Sequence, residues 1–143
     1  MKRIHLFTVL LLVTALSACA GGVKYTEFQP KLPSLSPDSG RIFFYRTTVL
    51  GAALRPDILL NNEKVGEAIA QGFFYVDRAP GEYQATTTTE VTRKVSFVLD
   101  KGQTRYIRFS VSMGFFAGHV YGELVDPEEG LKEIQDCKYT GAP

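Results

Sequence analysis

Ile42-Phe43-Phe44-Tyr45 is the stretch that decides the fold, because four successive apolar residues leave no polar face. Successive side chains of a β-strand point to opposite sides of the sheet. A strand made from these residues is therefore apolar on both sides, as buried strands are. The stretch predicts a central strand.

Short runs of β-branched and aromatic residues, separated by turn signals, continue from this stretch toward the C-terminus. Several of them alternate between apolar and polar residues, which is typical of strands with one buried face. No helical periodicity interrupts them before the last twenty or so residues. The predicted strands are residues 42–45, 57–60, 65–69, 72–77, 83–89, 91–99, 107–113 and 119–125.

Turn signals separate these strands. Asn61-Asn62-Glu63-Lys64 predicts a hairpin turn. Ala79-Pro80-Gly81-Glu82 places Pro and Gly at the central positions of a type II turn. Asp100-Lys101-Gly102-Gln103 predicts a hairpin between the two strands that flank it.

About eight strands and one short C-terminal helix predict a mainly β fold, an antiparallel β-sandwich, with a small closed barrel as the alternative. The helix begins with Asp126 as N-cap and Pro127 at the first helical position, and Glu129 is placed to complete a capping box. Its predicted buried face consists of Leu131 and Ile134, with Cys137 beside it.

The N-terminus carries an export signal. Lys2 and Arg3 precede an apolar run of about a dozen residues, whereas a membrane-spanning helix needs about 20. The run closes on Leu16-Ser17-Ala18-Cys19, which looks like the lipobox of bacterial lipoproteins. We expect cleavage between Ala18 and Cys19, with plain secretory cleavage as the alternative.

In a lipobox the Cys19 sulfur carries diacylglycerol, and in many bacteria its freed amine takes a further fatty acid such as palmitate. Two or more chains hold a protein stably in a bilayer, so the expected first partner is the lipid bilayer itself. Ala20, rather than Asp, follows the cysteine. By resemblance to sorted lipoproteins of Gram-negative bacteria, this implies the outer membrane and a cell-envelope location.

Three segments are expected: a signal peptide over residues 1–18, a lipidated and flexible tether over 19–40, and a single β-domain over 41–143. The tether has three prolines and little periodicity, and fully extended it would reach roughly 60 Å. The chain has 16 basic and 15 acidic residues, and loss of Lys2 and Arg3 leaves one net negative charge. Nothing in this balance favours nucleic acid as a partner.

No catalytic residue, metal site or cofactor is predicted. His119 is the one histidine left after the signal peptide is removed, so two imidazoles cannot share a metal within one chain. Cys137 is expected to be a buried thiol. The sharper alternatives are an intermolecular disulfide and a reactive nucleophile, for which His119 would be the activating partner. Two carboxylate pairs fit a solvent-facing strand and a helix start: Glu63 with Glu67, and Glu128 with Glu129.

Two apolar loops, residues 49–54 and 114–118, are the candidate contact surfaces. If these two loops are exposed to solvent, their apolar side chains would favour binding of another molecule. The favoured alternative is that they fold back and close the open ends of the sandwich. The residues concerned are Val49, Leu50, Leu54, Phe115 and Phe116.

The chain from Gly40 to about Thr140 resembles a family of bacterial lipoproteins, the domain-of-unknown-function family 2846. The resemblance rests on Arg55-Pro56, on Leu60-Asn61-Asn62 followed by Lys64-Val65-Gly66, and on Pro80-Gly81-Glu82-Tyr83. The last turn is also similar to PEGA and carboxypeptidase-regulatory-like domains, which are non-catalytic sandwiches. The resemblance implies a β-sandwich and supplies no catalytic residue.

The leading functional prediction is a membrane-anchored, non-catalytic β-domain that binds an envelope protein or supports the envelope. A binding module or carrier for a small apolar or peptide ligand is the alternative, and it requires a sizeable pocket between the sheets. The third possibility is an enzyme that uses carboxylates or Cys137.

Overall fold

The structure is a computed structural model that describes residues 20–114 and 118–141. Two α-helices lie in these ranges, α1 (Tyr25–Phe28) and α2 (Pro127–Glu133), each followed by a single 3₁₀ turn. The nine strands are β1 (Gly40–Arg46), β2 (Asp57–Leu60), β3 (Glu63–Glu67), β4 (Gly72–Arg78), β5 (Gly81–Thr87), β6 (Glu90–Leu99), β7 (Thr104–Met113), β8 (Gly118–Val125) and β9 (Lys138–Tyr139).

The strands form two sheets. The five-stranded sheet has the order β8-β7-β1-β4-β9, and the four-stranded sheet has the order β3-β2-β5-β6. The predicted mainly β sandwich with a C-terminal helix is confirmed. Most neighbours are antiparallel, but β1 pairs in parallel with β7 and β4 pairs in parallel with β9.

Strand β1 lies at the centre of the five-stranded sheet, as predicted, and all seven of its residues are buried. Ile42 and Phe44 point into the space between the sheets, where Phe44 stacks on Phe74 with ring centroids 5.1 Å apart. The apolar side chains between the sheets form one inner core: Ile42, Phe44, Ile58, Leu60, Val65, Ala68, Phe74, Val76, Ala85, Phe97, Leu99, Ile107, Phe109 and Val120.

The opposite face of the five-stranded sheet is covered by two segments, residues 25–32 and residues 127–139. Phe43 and Tyr45 of β1 point to this side, and Phe43 stacks on Tyr106 with centroids 5.2 Å apart. The segments of α1 and α2 pack over these rings. The resulting outer core contains Tyr25, Phe43, Tyr45, Phe73, Tyr106, Ile134 and Cys137.

The predicted flexible tether is wrong for the described part of residues 19–40, which folds onto the domain. Tyr25 is only 2% exposed, and its ring meets Phe43 and Phe73 edge-on with centroids 5.8 and 5.3 Å away. The Tyr25 backbone N–H donates to the Cys137 carbonyl at 2.9 Å. Ala20 is also buried. Covering the aromatic outer face outweighs the chain entropy that a free tether would keep.

Two predicted turns differ in the structure. Residues 100–103 do not close a hairpin, because β6 and β7 belong to different sheets and the turn carries the chain across the sandwich. Gly81 does not take the positive φ of a type II turn and instead begins β5. The Asn61 and Asn62 turn is a two-residue hairpin loop with φ of 49° and 68°, the type I′ geometry that asparagine tolerates.

Helix α2 begins at the predicted residue but is held differently. The Asp126 side chain makes no capping hydrogen bond, and the Glu129 carboxylate accepts from Arg108 instead of completing a capping box. Leu131 is 38% exposed rather than buried. The helix meets the sheet through Gly130, where a Cβ would come within 2.4 Å of the Tyr106 ring. Ile134 is fully buried, as predicted.

Packing of the N-terminal segment onto the sheet should contribute to the stability of the domain. Tyr25→Ala should lower the free energy of unfolding by about 3 kcal/mol, because it removes a buried aromatic ring from the outer core. Val23→Ala is the control, since Val23 is exposed and its loss should cost within about 0.5 kcal/mol. Urea unfolding of both variants measures the difference. Equal, negligible effects would mean that the segment is a free tether.

Candidate functional site

Arg46 organises the end of the sandwich at which β1 stops. Its side chain is fully buried and follows Ile42 and Phe44 on the inner face of β1. The guanidinium donates to the carbonyl oxygens of Leu54 and Ala68 at 2.7 and 2.9 Å, and to those of Leu50 and Gly51. One cation thus binds four backbone carbonyls, those of Leu50, Gly51, Leu54 and Ala68, and we call this arrangement the carbonyl cage.

The positive charge of Arg46 is stabilised by the dipoles of these backbone carbonyls. Burial lowers the pKa of this guanidinium, but arginine stays protonated in proteins. Its Nε finds no hydrogen-bond partner in the described ranges. A buried charge is tolerated only when it is well hydrogen-bonded, so the carbonyls of residues 50–54 must stay in place. The loop over residues 50–54 therefore has a defined conformation. In that conformation Gly51 has a positive φ of 63°, which glycine adopts readily.

The held loop presents apolar side chains to solvent. Val49 and Leu50 are 56% and 54% exposed, whereas Leu54 is half-buried and packs against the inner core. Met113, at the end of β7, is 63% exposed. A Cβ on Gly118 would lie 2.4 Å from Leu54 Cδ1 and 3.4 Å from Met113 Sδ, so the loop lies against the paired ends of β7 and β8. We call Val49, Leu50 and Met113 the apolar end.

The structure places the side chains of this loop in two environments, and a contact role for the loop stays a prediction. Leu54 closes the sandwich, and Val49 and Leu50 remain free for contact. Phe115 and Phe116, the other predicted contact residues, lie outside the described residues. So do Ala18 and Cys19, the predicted cleavage and lipidation positions.

The space between the sheets is filled where the structure describes it. A cavity bordered by Phe44, Ile58 and Phe109 measures about 10 Å³, at the lower limit for a single water. A larger, open groove of about 520 Å³ lies on the exposed side of β5 and β6. Its lining is Asn61, Glu82, Tyr83, Gln84, Ser96, Phe97 and Val98.

Cys137 and His119 are not brought together. Cys137 is buried in the outer core, as predicted. Burial is the largest cause that raises the pKa of its thiol to about 12, and the negative charges of Asp136 and Glu133 add to it. His119 is exposed on β8, with Nδ1 2.7 Å from the Thr89 carbonyl oxygen. Within residues 20–114 and 118–141, no group of three or more His, Cys, Asp or Glu side chains could hold a metal.

An ionic cluster that the sequence did not predict joins α2 to the five-stranded sheet. Arg108 donates to Glu129 and Glu133 at 2.7 and 2.8 Å, and to Glu123 at 3.3 Å. The Tyr45 hydroxyl donates to Glu133 at 2.6 Å, and burial together with this carboxylate raises the pKa of Tyr45. The cluster fixes a helix, and its carboxylates are engaged in that task.

The other predicted carboxylate pair is a surface feature. Glu67 lies 3.7 Å from Lys64 and 4.0 Å from Arg55, and Glu63 is exposed.

These features define a class: a small two-sheet β-domain with a filled core and one end closed by an arginine-held loop. A protein-family profile described as "Protein of unknown function (DUF2846)" matches residues 36–121. The match covers more than half of the chain, and the chain belongs to this family.

A relative in Haemophilus influenzae, described as an uncharacterized protein, is 28% identical over 124 residues. The alignment covers 83% of this chain and 74% of the relative. No solved structure matches the chain. In the described part of the chain, no helix has the length and apolarity needed to cross a membrane.

Removal of the Arg46 cation from the carbonyl cage should greatly lower the free energy of unfolding. Arg46→Met should lower the free energy of unfolding by about 3 kcal/mol, because several buried carbonyl oxygens lose their donor. Arg55→Met is the control, since Arg55 is half exposed and its distant contact with Glu67 is worth little. Urea unfolding reports the cost, and amide exchange at Leu54 reports release of the loop. If Arg46→Met is as stable as the control, the cage does not hold the loop.

The buried thiol predicts slow chemical modification. In the chain from Ala20 onward, Cys137 is the single cysteine. Its raised pKa keeps the thiolate scarce, so labelling by a maleimide should stay slow as pH rises from 7 to 9, where an ordinary thiol near pKa 8.5 ionises. A Lys101→Cys variant supplies an exposed thiol for comparison. Native Cys137 labelled as fast as that thiol would contradict burial.

Proposed function

We propose that this chain is a lipid-anchored envelope protein whose β-domain is non-catalytic and binds or supports another envelope component. The observation that carries the anchoring part is Leu16-Ser17-Ala18-Cys19 behind Lys2, Arg3 and a short apolar run. Lipid on Cys19 and a following Ala20 favour the outer membrane of a Gram-negative bacterium.

The domain itself supports the non-catalytic part of the proposal. Four of its chemistry-bearing side chains are engaged in structural contacts: Cys137 in the outer core, Arg46 in the carbonyl cage, and Glu129 and Glu133 on Arg108. General acid–base or nucleophilic catalysis needs such groups to converge on an accessible cleft. Cys137 and Arg46 are buried instead, and both carboxylates are paired with Arg108.

The open groove on β5 and β6 favours a binding role over a purely structural one. Gln84 and Ser96 line it as a cross-strand pair, and Val98 adds an exposed apolar side chain. Strand faces that mix polar and apolar groups suit an extended peptide or a protein surface. A carrier with its ligand between the sheets is disfavoured by the filled inner core.

Anchoring is tested by mutation of the predicted lipidation site. Cys19→Ala should yield an unprocessed precursor without acyl chains that leaves the membrane fraction or stays attached only by its signal peptide. Cys137→Ala is the control, because it removes the other cysteine and should leave processing unchanged. Mass spectrometry of the N-terminal peptide measures both. A wild-type protein with an unmodified amine at residue 19, or with residues 1–18 retained, would contradict the proposal.

A further inference from the structure

The domain begins at the same end at which β1 stops. The Ala20 backbone N–H donates to the Ala70 carbonyl at 3.1 Å. The Ala20 Cβ lies 3.3 Å from the position that a Cβ on Gly72 would occupy. Gly72 is the partner of Arg46 in the ladder between β1 and β4. The first described residue is therefore level with the last residue of β1.

Arg46 joins this starting point to the apolar end. Its guanidinium binds the carbonyl of Ala68, two residues before Ala70, and also that of Leu50. Two residues span at most about 7.6 Å along a chain, so Ala20 and Leu50 both lie close to Arg46. The turn at residues 100–103 lies at the other end of β1, where the Arg41 N–H donates to the Gln103 carbonyl.

No slack separates Ala20 from Cys19. Adjacent Cα atoms are about 3.8 Å apart, and Ala20 is already packed into the domain. A lipid-modified residue 19 has its glycerol at the headgroup level of the bilayer. The end of the domain that contains Ala20 must then meet the membrane surface directly.

The chemistry of the apolar end suits that surface. Residues 47–54 contain no charged side chain, and Val49, Leu50 and Met113 are exposed at the place where the domain would touch lipid. Isolated exposed aliphatic residues are ordinary on soluble proteins. Their position beside the start of the domain, held there by a buried cation, distinguishes these.

We infer that the apolar end inserts into the surface of the bilayer that carries the Cys19 lipid, so that the β-domain sits upright on the membrane with β1 pointing toward it. The inference rests on the proposed lipidation of Cys19. Val49 and Leu50 enter the interfacial region in the manner of an interfacial anchor. The groove on β5 and β6 extends to Val98, which lies toward the other end and remains accessible to a partner.

The test uses tryptophan, because the chain contains none. Leu50→Trp and Val98→Trp each introduce one fluorophore at an exposed apolar position, one at each end of the domain. Each lipidated variant is reconstituted into phosphatidylcholine vesicles, with or without bromine on the acyl chains. Leu50→Trp should lose most of its fluorescence in brominated vesicles and shift to the blue, whereas Val98→Trp should not change.

A second preparation separates this inference from the proposed function. The chain from Cys19 onward is coupled through the Cys19 thiol to a maleimide lipid, which supplies the anchor whether or not cells attach one. Cys137 is buried and should not react. Lack of acyl groups in the cellular protein overturns the proposed function alone. Equal quenching of the Leu50→Trp and Val98→Trp variants, or quenching of neither, in the coupled protein overturns the membrane-facing orientation.

Discussion

Burial of β1 on both faces is the constraint on which the rest of the structure depends. Ile42 and Phe44 require one covering layer, and Phe43 and Tyr45 require another. The four-stranded sheet supplies the first layer. The second is assembled from residues 25–32 and 127–139, and for this reason a segment with prolines and little periodicity becomes part of the folded domain rather than a linker.

Two buried arginines bracket this strand and attach the segments on either side of it. Arg41 binds the Asp77 carboxylate at 2.7 and 2.8 Å, stacks on Tyr75 and donates to the Pro33 carbonyl, so it fixes the N-terminal segment. Arg46 fixes the loop at the other end through carbonyls. Fork-shaped guanidinium groups can bind several acceptors at once, which lysine could not do with the same geometry.

The sequence predicts what depends on local pattern and misses what depends on distant partners. Alternation and turn residues locate the central strand, most other strands and the start of α2. They cannot say that residues 100–103 cross between sheets, since a hairpin and a crossing turn look alike locally. Tyr25, Phe28 and Leu32 are spaced as one apolar face and could have revealed the packed N-terminal segment. In the sequence, Arg46 looks like an ordinary polar residue at the end of a strand. Its four acceptors are backbone carbonyls, which no residue type in the sequence reveals.

With the proposed lipid on Cys19, the domain would have no long tether, because Ala20 is already packed into it, and it would present a fixed face to the membrane. Neutron reflectometry of the lipidated protein on a supported bilayer measures this directly. If the domain sits on the membrane as inferred, the protein layer will be in contact with the headgroups, with no water layer between them. A hydrated gap approaching the roughly 60 Å reach of an extended tether would contradict it.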